Sequence, residues 1–140
     1  MREPPGLDRG GGKRPDGATM VPWSRGRCLL WDDTCPDTLA PSHVQNSAAG
    51  AGSAAAAAEQ RKITKYAPLA TAHEFVPVAI ETLGSWGARG ASFINDLGRR
   101  IADQSGDPRS AAFLKQRLAL AVQRGNVVAV LGTFTPTLAD

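Results

Sequence analysis

Cysteine is scarce in this sequence: Cys28 and Cys35 are the whole supply in 140 residues. They lie on one expected strand and its exit, and spaced along one extended segment they do not bridge each other. No CxxC pair and no Cys–His cluster is present, which argues against a zinc site. A reduced, intracellular protein is the simplest expectation. The two histidines, His43 and His73, stand apart in the sequence and read as surface loop residues. Long apolar runs are missing too. The alanine run Ala54–Ala58 is far too short and too weakly hydrophobic to span a bilayer. The opening MREPPGLDRGGG has no apolar core of the kind a signal peptide carries. No membrane partner is therefore expected. Internal repeats are lacking, and poly-alanine is the one low-complexity stretch. Strong charge imbalance is lacking as well: the net charge is +3. The basic bias sits near the start, where Arg2, Arg9, Lys13, Arg14, Arg25 and Arg27 outnumber Glu3, Asp8 and Asp16. Such a bias suits a solvated arm and is compatible with phosphate contact.

What is present suffices for one domain. The length allows a modest core, and a hydrophobic fraction of 42% is near the globular norm. Residues 1–13 read as a disordered, basic, Gly/Pro-rich arm, 14–133 as the domain, and 134–140 as a tail. ATMVPW (Ala18–Trp23) and CLLWDDT (Cys28–Thr34) read as two strands of a hairpin closed by Ser24–Gly26. A three-residue loop of this kind often ends in a left-handed glycine. Pro22 suggests an edge or bulged strand. After an irregular connector, SAAAAAEQRKITKYAPL is a helix with Ser53 as cap and Pro68 as stop. A third strand follows over roughly Glu74 to Thr82. SWGARGASFINDLGRRIADQSG and DPRSAAFLKQRLALAVQRGN are two further helices, the second capped by Asp107 with Pro108 at its first position. VVAVLGTFTPTLAD is ambiguous between helical extension and strand. The expected fold class is α/β: a small mixed sheet beginning with a β-hairpin and covered by helices.

Two acids stand on the hairpin. With a three-residue loop, Trp23 faces Arg27 and Asp32 pairs with Ala18. Asp16 then lies two residues on, pointing to the same face, at a diagonal distance of about 7 Å. Two carboxylates on one sheet face repel unless a cation neutralises them, and Mg²⁺ suits oxygen ligands while keeping several waters. A two-residue loop would move the register by one and send the acids to opposite faces. Lys62 and Lys65 on the next helix could place an ammonium beside developing negative charge. Glu59, Lys62 and Tyr66 recur at i, i+3 and i+7 and share one helix face. Asp33 points the other way by alternation. Trp23 and Trp31 read as core or as base-stacking platforms. Asp37 reads as a turn or cap acid, and Glu81 as a supporting acid or the start of a helix. Arg99, Arg100, Arg109, Lys115, Arg117 and Arg124 read as solvated helix faces.

Asp16 preceded by Pro15, a turn, and a second acid on the returning strand resemble the PD-(D/E)xK nuclease superfamily. The longer string RPDG…W…G…LLWDDTCPDTLAPSH…AAAAEQRKITKY is similar to the restriction-enzyme-like endonuclease domain of non-LTR retrotransposon polyproteins. The resemblance runs over about Lys13 to Thr133. It implies a restriction-endonuclease-like core lacking its N-terminal helix and strand, since only a Gly/Pro-rich arm precedes the PD. It also implies a fragment or truncated copy, since no reverse transcriptase and no Cys/His knuckle are present. By resemblance Asp16 and Asp32 are metal ligands, and Mg²⁺ or Mn²⁺ is the expected cofactor; Glu59, on the helix face of Lys62, is a further candidate ligand. The superfamily's usual lysine position holds Thr34, so the catalytic lysine is Lys62 or Lys65, with Lys62 favoured. The implied activity is metal-dependent hydrolysis of a DNA phosphodiester at an insertion target, in the nucleus. The implied partners are DNA, retroelement RNA and reverse-transcriptase parts of the same polyprotein. Two alternatives compete: an inactive retroelement remnant serving as a nucleic-acid-binding or interaction module, and an α/β protein in which both acids are turn residues.

Overall fold

A computed structural model describes residues 14–133. The expected arm over 1–13 and tail over 134–140 lie outside the described residues. Among the described residues the fold is mixed α/β, with a three-stranded mixed sheet and four α-helices. The strands are β1 (Gly17–Ala18), β2 (Leu29–Thr34) and β3 (Glu74–Ala79). The helices are α1 (Val44–Ala49), α2 (Ser53–Tyr66), α3 (Ala88–Ser105) and α4 (Ser110–Leu131), with a 3-10 turn over Ala67–Thr71. Contacts gather into two compact units, one ending at Phe93 and one beginning at Ile94.

In the first unit β2 is the central strand, antiparallel to β1 and parallel to β3. A parallel return needs a long crossover, and α1, α2 and the 3-10 turn supply it. Leu29 and Leu30 of β2 are fully buried, as are Ala54, Ala55 and Ala58 of α2 and Ala79 of β3. Alanine puts only a methyl between helix and sheet, so the helix can lie close. That closeness lets a polar side chain on α2 reach β2. The register Leu30↔Phe75, Asp32↔Pro77, Thr34↔Ala79 puts these residues on one sheet face. Tyr66 of α2 stacks on Phe75 of that face, with ring centroids 4.9 Å apart. On the other face the first turn of α3 approaches β3 closely at Gly90, where a Cβ would lie 3.2 Å from Val78 Cα.

The hairpin departs from expectation in two ways. Its tip is a two-residue turn, Arg25 and Gly26, both at positive φ (49° and 70°), between a bridged Ser24 and Arg27. Two successive positive φ values make the turn whose twist matches the strands. The first strand is not Ala18–Trp23 but Gly17–Ala18, because the first arm carries three more residues than the second. Met20, Val21 and Pro22 bulge into solvent, Met20 being 97% exposed. Thr19 repairs the ladder: its N–H donates to Leu29 O, and its Oγ1 accepts the Leu29 N–H. Trp31 lies across its partner Gly17, whose missing side chain makes room for the indole.

The other boundaries shift by known causes. The third strand ends at Ala79, and a turn with Gly84 at φ 97° brings Trp86 back to bridge Ile80. Hence α3 starts at Ala88 rather than at Ser85. Gly52, at φ 82°, is the N-cap of α2, and Ser53 is its first helical residue. In the second unit Asp107 accepts the Arg109 N–H at 2.9 Å, but the helix begins two residues later than expected, at Ser110. The ambiguous Val127–Leu131 stretch is helical, the last turns of α4. Gly98 of α3 admits Ala111 of α4 where a Cβ would collide. Among the described residues no helix is long and apolar enough to cross a membrane.

Candidate functional site

The hairpin register decides where the acids stand. Paired residue numbers add to 51 at the tip and to 48 at β1. The two-residue turn by itself would send Asp16 and Asp32 to opposite faces. The three bulged residues restore the parity. Asp16 lies one residue beyond β1, in a bend, on the parity that the register gives to the face of Asp32.

Asp32 is the buried member, and Lys62 leans over it from α2. Lys62 Nζ lies 2.5 Å from Asp32 Oδ2, with side-chain exposures of 26% and 4%. Oδ2 is shut off from water and receives no well-directed hydrogen bond. The approach is ionic: the ammonium meets this oxygen off the directions a hydrogen bond needs. Asp16 is anchored at the rim, where its Oδ2 accepts the Asp33 N–H at 2.7 Å.

Tyr66, four residues after Lys62 on the same face of α2, is buried and donates its hydroxyl to the Arg14 carbonyl at 3.0 Å. Burial, then the charge of Asp32, then that of Asp16, and last the contact with the Asp32 carboxylate push its phenol up to about 12. Tyr66 is therefore neutral and a donor at ordinary pH. Burial first, and then the charges of Asp16 and Asp32, raise Asp33, while Lys62 opposes the shift. Both acids thus act on the same two neighbours.

Glu59 and Lys65 are not brought to this cluster. Glu59 is buried, and its Oε1 accepts the Arg89 and Gly90 N–H groups at 3.1 and 3.0 Å. It caps the N-terminus of α3, and Gly87 leaves the space its carboxylate occupies. Lys65 is exposed, with its ammonium 5.1 Å from the Tyr66 ring centroid. Glu81, open between two readings in the sequence, does the same work for α2. Its Oε1 accepts the Ala55 N–H and its Oε2 the Thr38 hydroxyl, both at 3.0 Å. Two buried glutamates therefore end two helices from a distance, each satisfying N–H groups that the helix itself leaves open. Trp23, half-buried, packs against the half-buried Phe93 at 5.6 Å between centroids. His43 hydrogen-bonds the Asp37 carbonyl through Nδ1 at 3.2 Å. A cavity of about 460 Å³ lies along Ala57, Gln60, Arg61 and Thr64, on the side of α2 turned away from Lys62.

Tyr66 is the member that sequence reasoning passed over as a site residue. The signal was there in its spacing from Lys62. Its partner, a backbone carbonyl 52 residues earlier, leaves no mark on local pattern.

Among the described residues no group of three or more His, Cys, Asp or Glu side chains is placed to hold a metal ion. The acids that do gather offer hard oxygen donors, and a buried carboxylate oxygen faces a cation already. That donor chemistry fits Mg²⁺, which is commonly held by one or two carboxylates with waters and substrate phosphate. No protein-family model matches the chain, and no curated protein and no solved structure matches it either.

Proposed function

We propose that Asp16, Asp32 and Lys62 form a divalent-cation-dependent phosphodiester-hydrolysing site that acts on DNA, as in a retrotransposon-derived endonuclease domain with a restriction-endonuclease-like core. One observation carries the reading: Lys62 reaches from α2 onto the buried carboxylate of Asp32, while the Asp16 carboxylate is held next door by the Asp33 N–H. In this reading Asp16 and Asp32 hold Mg²⁺ or Mn²⁺. Such an ion, when bound, polarises a phosphoryl oxygen and lowers the pKa of an attacking water. Lys62 keeps an ammonium beside the phosphate, where it stabilises negative charge as that charge develops. Its partial exposure leaves it reachable by a substrate, whereas Asp32 is kept from bulk water. Tyr66 stays protonated and adds no negative charge. Glu59 and Lys65 take no part. The reading brings with it DNA as partner, retroelement RNA or polyprotein parts as further ones, and the nucleus as location.

A second reading, an inactive remnant that only binds nucleic acid, draws on the same contact. With its charge already neutralised by Lys62, Asp32 can serve as a structural ion pair. Plasmid nicking separates the two. In Mg²⁺ or Mn²⁺ the chain should nick supercoiled DNA, and Asp32→Ala and Lys62→Ala should each abolish it. Nicking that persists at the same rate in Asp32→Ala rules out the enzyme. DNA retention in a mobility shift without any nicking supports the remnant.

A further inference from the structure

We infer that Tyr66 is a positioning residue, whose hydroxyl fastens the Arg14 carbonyl and thereby holds Asp16 beside Asp32. The inference rests on the reading of those two acids as a cation-binding pair. The segment bearing Asp16 leads into a short strand. β1 is two residues long, and the preceding Pro15 cannot donate to a ladder. Beyond the β1 ladder, a hydrogen bond runs from the Asp33 N–H to Asp16 Oδ2. It therefore uses an oxygen of the proposed ligand itself and sets only that end of the segment. The Tyr66 hydroxyl sets the other, at Arg14, with the buried Pro15 ring between them. Tyr66 is itself immobilised, being 1% exposed with its ring against Phe75. Lys62 and Tyr66 are four residues apart on one helix face. One rigid element thus delivers the ammonium to Asp32 and the tether to the Asp16 segment.

Tyr66→Phe removes the hydroxyl and keeps the ring packing, and it is read in two ways in the full-length chain. Without added cation, the Asp33 amide should exchange with solvent about tenfold faster, the factor that one lost hydrogen bond is worth. Amides of β3 and of the middle of α2 should keep their rates. With Mn²⁺ as probe, followed by calorimetry, Tyr66→Phe and Asp16→Asn should each weaken binding, and the double variant should be no weaker than Asp16→Asn alone. Unchanged exchange at Asp33 overturns the tether. Additive losses of Mn²⁺ affinity overturn the claim that Tyr66 acts through Asp16. If the unaltered protein binds no Mn²⁺, the cation reading fails, and the exchange rates still decide the tether.

Discussion

Replacing Lys62 with methionine keeps most of the side chain's length and apolar stem and removes its charge. Asp32 would then be a carboxylate 4% exposed with no ammonium at Oδ2. At 2.5 Å and an effective dielectric constant of about 20, the gross attraction is roughly 7 kcal/mol. Most of that is repaid as desolvation of the two ions, and removing one partner of a buried pair costs about 3–5 kcal/mol. Lys62 is a quarter exposed, so water screens its end and the loss falls to about 2–3 kcal/mol. Asp32→Asn should cost less, since a neutral amide is cheaper to leave under the helix. Urea unfolding of the four proteins of a double-mutant cycle measures the coupling, expected at about 2 kcal/mol. A coupling below about 0.5 kcal/mol would mean the ammonium and the carboxylate do not meet, and the site built on them would go with it.

Tyr66 is the chain's one tyrosine, so absorbance near 295 nm titrates it alone. The midpoint should stand near 12 in the folded protein, against about 10 in urea. Asp32→Asn should lower it. Because the folded pKa is the raised one, this phenol's contribution to stability is whole below pH 10 and is lost as pH climbs from there through 12. A folded midpoint at 10 would show that the phenol is in water and away from both acids. Glu59→Gln should destabilise by about 1–2 kcal/mol, as weakening a charged helix cap does. It should also speed amide exchange at Arg89 and Gly90 while leaving Mn²⁺ affinity unchanged. A loss of Mn²⁺ binding in that variant would return Glu59 to the ligand set.

Much of the site was legible because it depends on helical repeat. Residues 59, 62 and 66 share a face in any α-helix, whatever packs against it, and an alanine-rich helix after a hairpin has one apolar side to lay on the sheet. The second and third strands and the two long C-terminal helices followed from residue pattern in the same way. Less legible was the hairpin. The sequence suggested a three-residue loop and a parity that faced the acids together. The structure has a two-residue turn, which alone reverses that parity, and a three-residue bulge, which reverses it again. Strand propensity across Ala18–Trp23 does not reveal the bulge, because Met20 and Val21 suit a strand and Pro22 marks only that something yields.

What the sequence by itself determined is the set of local facts: a mixed α/β chain, a helix carrying Glu59, Lys62 and Tyr66 on one side, and a hairpin with an acid on each arm. Tertiary structure alone decided which of those side chains meet. Glu59 went to the backbone of α3 and Glu81 to that of α2, because a buried carboxylate must find donors, and the open N–H groups of a helix start were the ones within reach. That left Lys62 as the cation over Asp32, with Tyr66 holding the segment beside it. Partners 30 and 52 residues apart are chosen by the packing of whole elements, and no window of local sequence contains that choice.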